Sequence, residues 1–282
     1  MPIMGTSGRN LETMRAVMPD NATMPHIPML GQSGFDVYRN DGPNYAYRGS
    51  LMPGNRKHGY ESWCATDGKW HTYTVNMPLY DPVEDVMIGL HADAHIEPAE
   101  DYTHPVPVVY YGSSITQGGC ASRPGNAYQA MISRRFDADF VNLGFSGNAK
   151  GEEAICRYLA SLDASVFVCD YDHNAPNADH LEATHKPLYE IYRTAHPETP
   201  IVFVSKPDFH PGTEDERRRR IIMDTYEYAL ANGDRNVRFV DGAHLFDGPF
   251  ADSCTVDGCH PNDLGFFRMA EKIGDAVGEF LR

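Results

Sequence analysis

Two rhythms of apolar and polar positions divide this chain. From about residue 30 to 104, short runs alternate at period two between Gly, Pro and Asp-Gly breaks: Phe35-Asp36-Val37-Tyr38, Tyr45-Ala46-Tyr47, Trp70-His71-Thr72-Tyr73-Thr74-Val75 and Val86-Met87-Ile88-Gly89-Leu90. Aromatic and β-branched residues at that period predict antiparallel strands in a small sandwich. Asp67-Gly68 ahead of Trp70 reads as a hairpin turn. The segment before residue 30 is weakly patterned and rich in methionine, the remnant of a first strand at most. Pro98 to Pro107 reads as a linker.

From about residue 105, continuous apolar runs alternate with helical patterns. Strands are expected at 106–111, 139–143, 166–170, 201–205 and 237–240. Helices are expected near 126–136, 151–162, 180–195 and 215–231. The second should turn Ala154, Ile155, Tyr158, Leu159 and Leu162 to one face. A last helix from about 263 should carry Leu264, Phe267, Ala270, Ile273, Val277 and Phe280 on one stripe. Gly233 stops the fourth helix. Strands alternating with helices imply an α/β fold with a five-stranded parallel sheet covered on both faces, its strand carboxyl ends gathered on one rim. The expected division is therefore 1–104, a β-sandwich-like unit with its linker, and 105–282, the α/β unit.

The rim defined by those strand ends holds the chemistry. After the first strand comes Gly112-Ser113-Ser114; after the second, Asn142-Leu143-Gly144-Phe145-Ser146-Gly147-Asn148. After the third comes Asp170-Tyr171-Asp172-His173-Asn174, and before the last helix, Asp257-Gly258-Cys259-His260-Pro261. A serine, a glycine turn, an asparagine and an Asp-x-x-His are the parts acyl transfer needs: nucleophile, oxyanion donors, base and orienting carboxylate. Taken singly, each has a plainer role. Ser114 could be a helix N-cap, Gly144 a turn requirement, Asn174 a turn cap, and Asp257 and His260 surface-loop residues.

Taken together they resemble the SGNH (GDSL-type) hydrolases, esterases and lipases. Gly112-Ser113-Ser114-Ile115-Thr116 is similar to that family's Gly-Asp-Ser block, with Ser114 at the nucleophile position. Gly144 fits the second block, Asn174 the third, and Asp257 with His260 the last. Two positions depart from the pattern: Ser113 stands where the family has Asp, and Asp172 where its third block has Gly. In front, Gly34-Phe35-Asp36-Val37-Tyr38 resembles the Gly-x-Asp-Leu-Tyr signature of a small β domain that precedes some bacterial SGNH esterases. Gly118 to Gly125, with Arg123-Pro124-Gly125 at its end, resembles the same branch. Against that branch the front domain looks short by its first strands.

The resemblance implies a flavodoxin-like three-layer catalytic domain and a serine esterase acting on short acyl esters, acetyl on a carbohydrate foremost. Ser114 would attack, His260 would serve as base, and Asp257 would fix its tautomer. The oxyanion would be held by the N–H groups of Ser114 and Gly144 and the amide of Asn174. Asp172, His173 and Gln117 are expected to line the substrate cleft. No metal or cofactor is required. An acyltransferase using the same triad, and a carbohydrate-binding protein with a dead site, are the competing readings.

Composition narrows this. A net charge of −15 argues against nucleic acid or an anionic membrane surface as partner. The basic run Arg217 to Arg220 is read as a solvated helix face rather than a phosphate site. Six cysteines form no C-x-x-C pair. Cys254 and Cys259 are near enough for a local disulfide, the minority reading in a reducing compartment. No apolar run reaches the ~18 residues of a membrane span, and the first residues lack the apolar core of a secretion signal, so the expected location is cytoplasmic. Asp170, Asp172, His173, Asp179 and His180 invite a dinuclear-metal reading, and His91 with His95 a weaker one. Ser146, in Gly-Phe-Ser-Gly, imitates a nucleophile elbow but lacks its second spaced glycine. A second subunit covering a sandwich edge would make a homo-oligomer.

Overall fold

The computed structural model describes residues 2–3, 6–7, 11–18, 24–41, 44–54, 59–208 and 210–281. Its elements in chain order are β1 (Pro2–Ile3), β2 (Thr6–Ser7), β3 (Leu11–Val17), α1 (Met29–Ser33), β4 (Phe35–Asp41), β5 (Asn44–Leu51), β6 (Tyr60–Cys64), β7 (Thr72–Asn76), β8 (Asp85–Leu90) and β9 (His95–Ile96). There follow β10 (His104–Gly112), α2 (Ser114–Gln117), α3 (Tyr128–Phe136), β11 (Ala138–Gly144), α4 (Glu153–Leu159), β12 (Val166–Asp170), α5 (Ala178–Ala195), β13 (Ile201–Val204), α6 (Thr213–Ala231), β14 (Val237–Val240) and α7 (Asp263–Gly278).

The last five strands form one parallel sheet in the order β11-β10-β12-β13-β14. This is the flavodoxin-like winding: the chain steps outward from β10 to β11 on one side, then returns to build β12 to β14 on the other. The central strand shows why its sequence is a continuous apolar run. Val108 and Tyr110 pack under α3 and α7, while Val109 and Tyr111 pack under α4 and α5 on the opposite face. The reversal of strand order opens a crevice at the carboxyl ends of β10 and β12, where sheets of this kind place their sites.

Two helix faces differ from the expected stripes. In α7 the buried set is Phe266, Met269, Ala270, Ile273 and Val277, whereas Leu264 and Phe267 are exposed. Phe266 takes the inner face, and residues two before or one after a given face position point elsewhere at 3.6 residues per turn. In α4, Cys156 and Leu159 face inward and Tyr158 is half exposed. The basic run is not a uniform solvated face either. Arg217, Arg219 and Arg220 pair outward with Asp179, Asp241 and Asp224, but Arg218 turns inward to Asp172.

The front region is antiparallel throughout. A four-stranded sheet, β1-β7-β4-β5, faces a three-stranded sheet, β6-β3-β8, with a short β2-β9 pair beside them. Met14, Ala16, Phe35, Val37, Leu51, Tyr60, Tyr73 and Val75 fill the space between. Glycine-directed turning at Asp67-Gly68 is real, since Gly68 sits at φ +71°. It is not a hairpin, however: β6 pairs with β3, and β7 pairs with β1 and β4. The turn carries the chain from one sheet to the other. The methionine-rich opening supplies β3, the middle strand of its sheet.

Period-two alternation in β4 splits the signature Gly34-Phe35-Asp36-Val37-Tyr38 between two interfaces. Phe35 and Val37 enter the sandwich core. Asp36 and Tyr38 point the other way, onto the loop that follows the Ser114 turn. Asp36, with no exposed surface, accepts from Arg123 Nη1 at 2.6 Å, Gly125 N at 2.9 Å and Asn76 Nδ2 at 2.7 Å. Tyr38 Oη accepts a second Arg123 bond, and the guanidinium lies 4.3 Å from the Tyr47 ring centroid. A Cβ on Gly125 would stand 2.6 Å from Asp36 Oδ2, so only glycine lets the loop come this close. Among the described residues no helix is long and apolar enough to cross a membrane.

Candidate active site

Gly112 ends β10 in register with Gly144 of β11 and Asp170 of β12. The three loops that follow therefore leave the sheet side by side. The first turns at once. Ser113, fully buried, caps α2 by accepting from Ile115 N at 3.1 Å. This explains how serine can replace the resembled family's Asp at this position: the cap needs an oxygen acceptor, not a charge. Ser114 is the first residue of α2. Its N–H belongs to the donors a helix start leaves without an internal partner, and it makes no hydrogen bond among the described residues. Gly118, at φ +102°, closes the turn.

The Asp-x-x-His turn ahead of α7 reaches this serine. Ser114 Oγ lies 3.0 Å from His260 Nε2, and His260 Nδ1 lies 2.8 Å from Asp257 Oδ2. The other oxygen of Asp257 accepts from His260 N at 2.7 Å and Cys259 N at 3.0 Å. Partial burial works to raise the Asp257 pKa, but these two N–H groups and the imidazole outweigh it and bring it to about 2. A carboxylate so held stays ionised and fixes the imidazole with Nδ1 protonated and Nε2 facing the serine. All three expected residues are thus brought together in one hydrogen-bonded line.

The expected oxyanion donors divide. Asn174 Oδ1 accepts from Ala149 N at 3.2 Å, which anchors the carboxamide and leaves Nδ2 with no hydrogen bond among the described residues. Gly144 does not match its expected role. Its N–H donates to Asn142 Oδ1 at 2.9 Å, and a Cβ there would stand 2.1 Å from Gln117 N, so Gly144 serves close packing of the loop against α2. Three residues on, Gly147 has φ +73° with open space before it, and its N–H makes no hydrogen bond among the described residues. Its place in the same strand-end loop was available to sequence reasoning; what was missing was the side-chain acceptor that occupies Gly144.

Two expected cleft residues are likewise committed to structure. Gln117 Nε2 donates to Leu79 O at 3.1 Å and its Oε1 accepts from Ser146 N at 3.0 Å, tying the front region to the loop after β11. With Gly144, Gln117 lines a cavity of about 370 Å³ between the two regions, which neither Ser114 nor His260 lines. Asp172, almost wholly buried, accepts from Lys206 N at 2.9 Å and pairs with Arg218 at 3.3 Å. His173 does stay beside the His260 turn: its Nδ1 is 3.8 Å from Cys259 Sγ and its Nε2 is buried without a partner. Burial first, then Lys206, His260 and Arg218, push its pKa down to about 3, so the ring is neutral.

Among the described residues, the acidic and histidine groups considered for metal do not gather their ligand atoms into one cluster. Asp170 Oδ2 accepts from Thr116 and Tyr128 at 3.0 Å each. Asp179 pairs with Arg217, and His180 Nε2 contacts Lys150 O. Burial, only partly offset by its two hydroxyl donors, raises Asp170 to about 7. Ser146 is exposed in its loop. Cys254 and Cys259 are free thiols, like the other four cysteines.

Residues 105–277 match the GDSL-like Lipase/Acylhydrolase family, and residues 7–96 match the GxDLY family, the N-terminus of Esterase_SGNH_hydro-type proteins. Among solved structures, the chain is similar to a protein of Bacteroides ovatus described as a GDSL-like lipase. Identity is 30% over 99% of this chain and 84% of that one, with a TM-score of 0.89. A salicylyl-acyltransferase from a tetracycline biosynthetic pathway aligns at 19% identity, covering 96% and 79%, with a TM-score of 0.74. A family two carbohydrate esterase from Clostridium thermocellum, in complex with cellohexaose, aligns at 13%, covering 98% and 91%, with a TM-score of 0.69. These last two likenesses are of fold. No curated protein matches the chain significantly.

Proposed function

The chain belongs to the GDSL-like lipase/acylhydrolase family, and on that premise we propose that it is a serine esterase hydrolysing short acyl esters, acetyl groups on a carbohydrate foremost. The observation that carries this reading is the line Ser114 Oγ, His260 Nε2, His260 Nδ1, Asp257 Oδ2, with steps of 3.0 and 2.8 Å. His260 Nε2 takes the hydroxyl proton as Ser114 Oγ attacks the ester carbonyl carbon. The imidazolium formed is stabilised by Asp257. Collapse of the tetrahedral intermediate expels the alcohol, which takes the proton back from His260, and leaves the acyl group on Ser114. Water, deprotonated by the same imidazole, then releases the acid.

The negative charge on the carbonyl oxygen would be met by the Ser114 N–H and Asn174 Nδ2, with the free N–H of Gly147 taking the place first expected of Gly144. One such donor contributes ~2.7–4 kcal/mol of transition-state stabilisation. We also treat 1–104 and 105–282 as the two units of the chain, a division supported by family matches that stop at 96 and resume at 105. The acetyl-sugar assignment rests on the front-region signature and on a fold shared with carbohydrate esterases.

The test is a panel of acyl-chain lengths on wild type and Ser114→Ala. Hydrolysis undiminished in the variant would sink the serine mechanism, and preference for long chains would sink the short-acyl part. Product partition with added sugar acceptors separates hydrolysis from acyl transfer. A carbohydrate-binding protein with a dead site would leave Ser114 unlabelled by an organophosphonate.

A further inference from the structure

The turn before α1 brings a front-region side chain to the triad. The His26 ring centroid lies 5.3 Å from that of His260. Cys120, three residues beyond α2, completes a cluster: one donor atom from each of His26, Cys120 and His260 lies within 4.8 Å of the other two. The ester mechanism uses neither His26 nor Cys120. Cys120 is nonetheless held in the left-handed region at φ +73°, unusual for a residue with a Cβ, with its side chain buried.

We propose that these three residues form an inhibitory site for a thiophilic divalent cation, zinc foremost. Two imidazoles and one thiolate are a donor set zinc takes, with a fourth position left for water. Bonds of ~2.0–2.3 Å in tetrahedral geometry set the donors about 3.3–3.8 Å apart. The trio must therefore close by about 1 Å, and His26, exposed on a turn, has the freedom to supply that movement. Calcium and magnesium, which favour oxygen donors, are excluded by the same set.

Inhibition follows from what His260 has to offer. Its Nε2 is engaged with Ser114 and its Nδ1 with Asp257. Whichever nitrogen the cation takes, one catalytic hydrogen bond is lost and the base is silenced. Binding releases the Cys120 thiol proton to solvent and involves no change in oxidation state. Metal release restores the triad, so the control is reversible.

The inhibition arm of the test rests on the serine-esterase reading; the binding arm does not. In the first, zinc chloride is titrated into the full chain during hydrolysis of an aryl acetate. Wild type should be inhibited and EDTA should reverse it. His26→Gln and Cys120→Ser should keep metal-free turnover and raise the half-inhibitory zinc concentration at least about tenfold, the scale on which even outer-shell changes act. In the second, cobalt(II) is added to the metal-free chain. Wild type should develop a thiolate-to-cobalt charge-transfer band that Cys120→Ser abolishes and His26→Gln weakens. Equal zinc sensitivity in wild type and both variants, or a cobalt complex without the thiolate band, overturns the proposal.

Discussion

The parallel-sheet region and the front sandwich meet across a few buried polar contacts, yet they use polar residues in opposite ways. At the sheet's rim, Ser114 N, Asn174 Nδ2 and the two ring nitrogens of His260 are unsatisfied or only singly bonded. At the sandwich face, Asp36 has each carboxylate oxygen occupied and no exposed surface. One set leaves donors and acceptors open to a further partner, the other leaves none. Substitutions should therefore separate cleanly, with rim changes costing rate and sandwich-face changes costing stability.

The largest effect tests the rim. Ser114→Ala and His260→Ala should each lower kcat by roughly 10⁶-fold and Asp257→Ala by about 10⁴-fold, with melting temperatures close to wild type. A Ser114 variant that melts early without losing rate would break the comparison. Asn174→Ala comes next, at about 10²–10³-fold in kcat and little in KM. On the other side, Asp36→Asn removes a buried charge from Arg123. It should cost about 3–5 kcal/mol in denaturant unfolding while kcat falls less than in Asn174→Ala. A variant with unchanged stability and abolished turnover would show that the sandwich face acts in catalysis after all.

The smallest effect is in pH. Asp170 has a folded pKa raised to about 7 against an unfolded value of about 3.9. The folded state then binds more protons between those values, so this group lowers stability as pH rises through that window. Asp170→Asn keeps an acceptor for Thr116 and Tyr128 and removes the penalty. Its melting temperature should exceed that of wild type by a few degrees at about pH 8 and converge with it near pH 4. Asp257 has the opposite sign: its stabilisation is full above about pH 4 and is lost only as pH falls through about 2. It should therefore contribute no limb to the rate profile near neutrality.

The same contrast governs what could be read from the sequence. Strands 166–170 and 237–240 and the neighbouring helices were legible because right-handed crossovers make each element's partner the next or next-but-one along the chain. The meeting of Ser114, Asp257 and His260 was legible because strand ends in such a sheet converge on one rim. The pairing of β3 between β6 and β8 was not, since Leu11–Val17 finds partners some 45 to 80 residues away and its own alternation is weak. For the same reason Asp67-Gly68 passed for a hairpin. Within the site, Gly144, Gln117 and Asp172 were misplaced by one cause. Their polar atoms are claimed by Asn142, Leu79 and Arg218, and no spacing rule reports which partner the folded chain will present. His26 joined the surroundings of His260 with no local signal.

The Asp36 contact has a consequence for synthesis. Arg123 follows Asp36 by 87 positions, so a ribosome delivers the carboxylate well before the cation that lets it be buried. Until then the docking face of β4 must stay hydrated, because enclosing a lone carboxylate is prohibitive. Chains stalled short of Arg123 should accordingly be cut readily by protease around β4, and chains extended past Gly125 should resist. The outer face of the sandwich thereby stays open until the loop that follows Ser114 has arrived to cover it.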